Sequence, residues 1–210
     1  MNHRLLEVGP ERLERWAAGF GERHGAVQVS VDEESVVLTA ADGATAVLAI
    51  PFPPADLGEN PVAGLAARAA QPRDALVLLV RRGGYAVGTV QQGALVKHKV
   101  GTKYVQSRTA AGGWSQQRFA RRREGQAAGL VGAATEVAVT QWAGAMRAPA
   151  ILVTGGDRQL VEEVLTDPRL RGAAKLPRGP LLDVRDPRLD ILKQSVQRSR
   201  QVRIGLTEPG

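Results

Sequence analysis

Apolar residues follow a helical period near the start of the chain and alternate with polar residues in the segments after it. Leu13, Trp16 and Phe20 fall on one face of a helix. Three short alternating runs follow, and acidic or glycine-containing turns separate them. These patterns predict a small N-terminal unit over residues 1–72. Its predicted elements are a helix over 10–23, a β-meander with strands over 26–31, 35–40 and 45–50, and a short helix over 62–70.

A second β-meander begins near residue 75, where glycine-containing turns join three strand-like runs. Residues 101–116 are polar, glycine-rich and aperiodic, and a long helical pattern follows them. Asp186-Pro187 is typical of the start of a last helix. The predicted elements are strands over 75–82, 85–91 and 94–100, a helix over 117–142, a strand over 150–154, a helix after Asp157 and the last helix from residue 186.

This element order predicts an α/β (α+β) fold with a mixed sheet and flanking helices. The order of three antiparallel strands, a long helix, a strand and a helix is similar to a ribonuclease-H-like topology. We expect residues 73–210 to form this second domain, with a functional loop at 107–117.

The composition excludes several classes of protein. The chain has 210 residues, of which 43% are apolar, so it can bury a sizeable core. It has no cysteine, and His3, His24 and His98 are too scattered for a metal site, so we expect neither metal nor cofactor. The charged N-terminus is unlike a signal peptide, and no apolar run approaches the ~20 residues of a membrane span. We therefore expect a cytoplasmic protein with no membrane partner.

The positive charge is concentrated in one part of the chain. The formal net charge is +7, and no Asp or Glu occurs from Ala75 to Arg123, a stretch that holds ten Lys or Arg residues. Such a segment favours an electropositive surface that faces a polyanion. A solvated basic face with no partner is the alternative.

The polar stretch 101–126 contains an unusual combination of residues. Gly112-Gly113 permits close approach of the backbone to another molecule. Trp114 either folds back into the core or stacks on a base. Neutral polar groups follow at Ser115, Gln116 and Gln117, and arginines then share or adjoin one helix face, which suits phosphate binding. These arginines are Arg118, Arg121, Arg122 and Arg123.

The loop has no Cys, His, Asp or Glu that could serve as a nucleophile or a base. A catalytic role would therefore require a positioned water and dipoles aimed at a developing oxyanion. A glutamine amide can supply both a donor and an acceptor. This suffices when the substrate is already activated and another macromolecule completes the site, as for an ester on tRNA in the peptidyl-transferase centre.

The sequence Gly113-Trp114-Ser115-Gln116, followed by QRFARRREGQ, resembles the Gly-x-x-Gln loop and basic helix of the Vms-like release factors. The stretch is most similar to their compact actinobacterial members. That family is related to the catalytic domain of eukaryotic and archaeal class-1 release factors, which carry Gly-Gly-Gln. The resemblance is specific over 97–130 and extends over 75–200. It implies a ribonuclease-H-like fold without nuclease carboxylates, and peptidyl-tRNA hydrolysis on stalled or split ribosomes.

The resemblance also assigns residues and partners. Gln116 takes the position of the catalytic glutamine and Gly113 that of the first glycine, while Gln117 is the alternative catalytic amide. Gly112 and Ser115 complete the candidate catalytic set. The implied partners are the large ribosomal subunit with its peptidyl-transferase centre, peptidyl-tRNA and rRNA. The candidate RNA-binding residues are Lys97, Lys99, Lys103, Arg108, Trp114, Arg118, Arg121, Arg122 and Arg123.

Several alternatives stay open. Residues 1–72 show no codon-reading motif, so release should be independent of a stop codon; this unit either docks on rRNA or gives structural support. A non-catalytic RNA- or ribosome-binding factor and an endonuclease that cuts the tRNA 3′ end are the other functions considered. Gly155-Gly156-Asp157, between a strand and a helix, is either a plain helix N-terminus or an anion site.

Overall fold

The computed structural model describes residues 2–52, 56–102, 115–143 and 151–209, and for 115–124 the helical backbone alone. The chain forms two compact units, one of Met1–Gln71 and Gln197–Gly210 and one of Pro72–Val196. In chain order the elements are β1 (Asn2–Val8), α1 (Pro10–His24), β2 (Val27–Val31), β3 (Ser35–Ala40), β4 (Thr45–Ala49), α2 (Pro61–Ala70), β5 (Ala75–Arg81), β6 (Gly84–Gln91), β7 (Ala94–Thr102), α3 (Ser115–Trp142), β8 (Ile151–Gly156), α4 (Arg158–Leu165), α5 (Arg171–Ala174), α6 (Leu189–Arg198) and β9 (Val202–Glu208).

The first unit is a five-stranded antiparallel sheet with the strand order β1-β9-β4-β3-β2, and α1 and α2 cover one of its faces. Pro10 starts α1 with a preset backbone angle, and Gly25 ends it with a φ of 88°. The predicted helical stripe is confirmed, because Leu13 and Phe20 are fully buried and Trp16 packs beside them. The predicted meander is also present as β2, β3 and β4.

The last strand, β9, returns the chain to the first unit. It lies between β1 and β4, where Ile204 is opposite both Leu6 and Leu48. The predicted second domain, 73–210, therefore differs from the structure, in which the second unit ends at Val196. Val202, Ile204 and Leu206 alternate as buried residues of β9, but alternation does not identify the sheet that a strand joins.

The second unit is a four-stranded mixed sheet with the order β7-β6-β5-β8, in which only β5 and β8 are parallel. α3 and α4 pack on one face, where Leu130 and Val161 join the core with Leu78 and Val87. Leu192 of α6 approaches Gly88 on the opposite face. The predicted α/β class with a mixed sheet is thus confirmed, and the ribonuclease-H-like topology stays a prediction.

Two predicted features after β8 are wrong in detail. Between the helix after Asp157 and the last helix, where the sequence pattern predicts no further helix, the chain forms a 3₁₀ turn (Pro168–Leu170) and α5. The last helix begins at Leu189 instead of Pro187. Asp186 does not cap it, because its carboxylate pairs with Arg188 at 2.6 Å and its carbonyl accepts from the Arg188 N–H.

We predict that Ile204→Ala destabilises the first unit by about 3 kcal/mol, because it removes a fully buried side chain from a central strand and leaves a cavity. The measurement is urea unfolding followed by circular dichroism. Val47→Ala is the control, since Val47 is 43% exposed on the other face of the same sheet. Equal effects of the two changes would contradict the placement of β9.

Candidate functional site

The loop that carries the candidate glycines joins β7 to α3. Lys103, Arg108, Gly112, Gly113 and Trp114 lie outside the described residues. α3 begins at Ser115, two residues earlier than predicted, because no glycine or proline separates Ser115 from the following glutamines. Gln116 and Gln117 therefore belong to the first turn of α3 instead of the loop. For residues 115–124 the structure describes the backbone alone, so the side chains of these two glutamines and of Arg118, Arg121, Arg122 and Arg123 are outside the described part.

Two of the predicted RNA-binding residues lie on β7, the edge strand that leads into the loop. Lys97 and Lys99 are exposed and pair with Thr89 and Val87 of β6. Cross-strand partners share a face of a sheet, and Val87 belongs to the core that α3 covers. The two lysines therefore point to the same side of the sheet as α3.

Gly101 lets the end of β7 pack closely against the neighbouring strand β6. A Cβ at this position would overlap the ring of Tyr85, which lies opposite it on β6. Only glycine permits this close approach. The start of the loop at Thr102 is therefore held by a packed aromatic ring.

The other end of the loop leads into α3. The Trp142 indole N–H donates to the Gly88 carbonyl at 3.1 Å, and Leu130, Ala134 and Ala138 are fully buried. The 28 residues of α3 make a helix of about 40 Å, and Ala127 is the first described residue that packs on the core. The second half of α3 is therefore anchored to the sheet, and Gln116 lies in the first turn of the same helix.

An exposed ion-pair network contacts α3 from the side. Arg169 donates to Glu136 of α3 at 2.6 Å and to Asp167 at 2.8 Å. Hydrogen bonds from Arg169 hold the pKa of the Glu136 carboxyl and that of the Asp167 carboxyl below their ordinary values. The hydrogen bonds to Asp167 and Glu136 in turn raise the pKa of Arg169. The network links α3 to the 3₁₀ turn.

Four chain segments lie together at the end of the second sheet where β5, β7 and β8 end and β6 begins. We call this surface the loop edge; its segments are 81–84, 101–102, 156–158 and 183–188. Val80 pairs with Gly156, and Gly84 pairs with Thr102. Arg81 donates to the Val184 carbonyl at 2.8 Å, which brings the fourth segment to the same edge.

The loop edge carries exposed cations that sequence reasoning did not select. Arg82, Arg158 and Arg185 are exposed and have no ion pair within the part of the chain that the structure describes. Arg81 and Arg188 are neutralised in part by Asp183 and Asp186. Arg158 and Arg185 lie outside the acid-free stretch, so only the pairing of distant strands reveals that they adjoin the loop.

The candidate anion site at the start of α4 is a plain helix N-terminus. The Asp157 carboxylate accepts from the N–H groups of Gln159 and Leu160. The Gly156 N–H donates to Leu182, and the Asp157 N–H donates to Val80. These donors are therefore already occupied. Within the described ranges no group of three or more His, Asp or Glu residues could hold a metal ion, and no described helix is long and apolar enough to cross a membrane.

Comparison with protein families places this chain in a class of proteins that acts in translation. The family model of the Actinobacteria/chloroflexi VLRF1 release factor matches residues 73–205. The chain belongs to this release-factor family, which confirms the resemblance seen in the sequence and implies interaction with the ribosome. A search of curated proteins found no significant match.

We predict that Arg169→Ala raises the pKa of Glu136 and Asp167 towards their ordinary values, because both carboxylates lose their strongest hydrogen-bond donor. The stability that these lowered pKa values contribute is present at neutral pH and is lost as the pH falls below about 4. Wild type and variant should therefore differ at pH 7 and converge in acid. Carboxyl NMR titration and thermal unfolding measure the two effects.

Arg171→Ala is the matched control for this prediction. Arg171 is equally exposed, and it has no ion pair within the described residues. Unchanged titration of Glu136 in Arg169→Ala would show that the network does not form in solution.

Proposed function

We propose that this protein is a ribosome-associated peptidyl-tRNA hydrolase. It releases nascent peptides from stalled ribosomes or large subunits without reading a codon. The observation that carries the proposal is the family match over 73–205, which includes the glycine pair and Gln116. The packing of Tyr85 against Gly101 supports it, because a reactive loop needs a rigid attachment to the fold and this contact fixes the strand from which the loop starts.

In the proposed reaction a water attacks the carbonyl carbon of the peptidyl-tRNA ester. The bond from this carbon to the 3′-terminal ribose oxygen breaks. One proton of the water passes to that oxygen and the other is released to solvent, so the products are the peptide carboxylate and the tRNA hydroxyl. The carbonyl of the Gln116 amide accepts a hydrogen bond from the water and orients it. N–H donors near the loop stabilise the oxyanion, and the ribosome holds the substrate in place.

The distribution of charge between the units supports an RNA-facing role for the second unit alone. Pro72–Val196 contains twenty Lys or Arg and ten Asp or Glu residues, whereas the first unit contains eight and eleven. A polyanion is attracted to the former and not to the latter. We therefore propose that tRNA and rRNA contact β7, the loop edge and the first turns of α3, and that the first unit does not dock on rRNA.

The two alternative functions give different products. A non-catalytic binding factor would leave the peptide on its tRNA. An endonuclease would release the peptide with a fragment of tRNA, and the remaining tRNA would lack its intact CCA end. Analysis of both the peptide and the tRNA 3′ end distinguishes the three.

We predict that Gln116→Ala lowers the rate of peptide release by about 10²-fold or more, the scale expected when one preorganised hydrogen-bonding group is lost. Binding to large subunits should persist, because no charge changes. The measurement is single-turnover release from purified large subunits that carry peptidyl-tRNA, with binding measured by co-sedimentation. Gln117→Ala is the register control and should be milder. Wild-type release by both variants would exclude a glutamine mechanism.

We predict that the loop edge contributes to ribosome binding. Arg82→Ala with Arg185→Ala should weaken affinity for large subunits and reduce the slope of log affinity against log salt by about 2. The charge-matched control is Arg171→Ala with Lys175→Ala, two exposed cations near the start of β8 at the opposite edge of the sheet. If both pairs lowered affinity equally, binding would depend on net charge and not on the loop edge.

A further inference from the structure

The strand β2 forms an open edge of the first sheet, since β3 is its only partner among the residues that the structure describes. The Asp32 N–H donates to the Ser35 carbonyl, and the Ala26 carbonyl accepts from the Ala41 N–H. The N–H and C=O groups of successive residues point to opposite sides of an antiparallel strand. The backbone groups of the even-numbered residues of β2 therefore point towards β3. Val27, Val29 and Val31 therefore present their backbone groups to the open edge.

The same valines leave apolar surface uncovered. Val29 and Val31 lie opposite Leu38 and Val36, so they continue the face that α1 and α2 cover. Their side chains are nevertheless 48% and 49% exposed. An uncharged, apolar edge strand of this kind is a template for pairing with another strand.

The opposite edge of the sheet is different. β1 carries charged side chains, and Arg4 and Glu7 are ion-paired to Glu208 and Arg203 of the neighbouring strand. Charges on an edge discourage further pairing. The contrast within one sheet singles out β2 as the edge suited to a partner.

We propose that two copies of this chain associate through antiparallel pairing of β2 with β2, with the two-fold axis at Val29. The sequence Val27-Gln28-Val29-Ser30-Val31 is self-complementary about this point. Val27 of one copy then lies opposite Val31 of the other, Val29 lies opposite Val29, and the two five-stranded sheets become one of ten strands. A single surface that pairs with itself is the geometry of a closed dimer.

The charges beside β2 favour the same register. Pairing about Val29 brings the acidic turn after β2 of one copy towards the end of α1 of the other. Glu33 in that turn and Arg23 in that helix are exposed and have no ion pair within the described part of the chain. The two-fold axis therefore creates two pairs of opposite charges, each between Glu33 of one copy and Arg23 of the other. The dimer does not depend on the proposed release activity.

Pairing of one strand buries less than about 1,000 Å², which is typical of weak, reversible association. The test is sedimentation of the full chain from about 1 to 200 μM, a range that brackets a Kd on the order of 10 μM. The mass should rise from 22.3 kDa towards twice that value. A monomer at every concentration would overturn the proposal.

Variants locate the interface. Val29→Lys places two like charges on the axis and should raise the Kd at least tenfold, whereas Val47→Lys, on the opposite face of the same sheet, should not change it. Circular dichroism checks that both variants fold. A dimer that persists in folded Val29→Lys would place the interface elsewhere and contradict the proposal.

The lack of cysteine in the chain permits a second, independent test. Val29→Cys introduces one thiol, and residues opposite each other in a hydrogen-bonded pair are separated by about 5.5 Å between Cα atoms, within disulfide reach. Mild oxidation should give a covalent dimer of Val29→Cys and little of Val47→Cys. Equal cross-linking of the two would contradict the register.

Discussion

The packing of α3 against β6 is the contact on which the candidate site depends. Leu130, Ala134 and Ala138 bury one stripe of the helix, and the Trp142 indole satisfies the Gly88 carbonyl of the strand. Burying a leucine contributes roughly 2 kcal/mol, so this stripe fixes the second half of the helix on the sheet.

Much of the fold was predictable from periodicity, and each exception has its own physical cause. Segments whose partners are close in sequence, such as β2 to β4 and β5 to β7, were predicted nearly to the residue. β9 was not, because its neighbours β1 and β4 are more than 150 residues away and no local pattern specifies such a pairing. The start of α6 was misplaced because a local ion pair took the predicted capping carboxylate.

The residues of the candidate site also differ in whether the sequence alone could identify them. The glycine pair, Gln116 and the arginines after it form one continuous motif, so resemblance alone could identify them. Lys97 and Lys99 followed from their position just before that motif, and the structure places them on the side of the sheet that carries α3. Arg82, Arg158 and Arg185 are far apart in sequence and meet only because strand ends converge at one edge.

The return of β9 has a consequence for synthesis. The second unit is an insertion between β4 and β9, two strands that are adjacent in the first sheet. During translation, Pro72–Val196 contains all of its own sheet and can fold as soon as it emerges. The first unit, although its helix and meander are made first, lacks an interior strand until residues 202–208 leave the exit tunnel. The sheet of the first unit is therefore completed only after the second unit has been synthesised, although its own synthesis begins first.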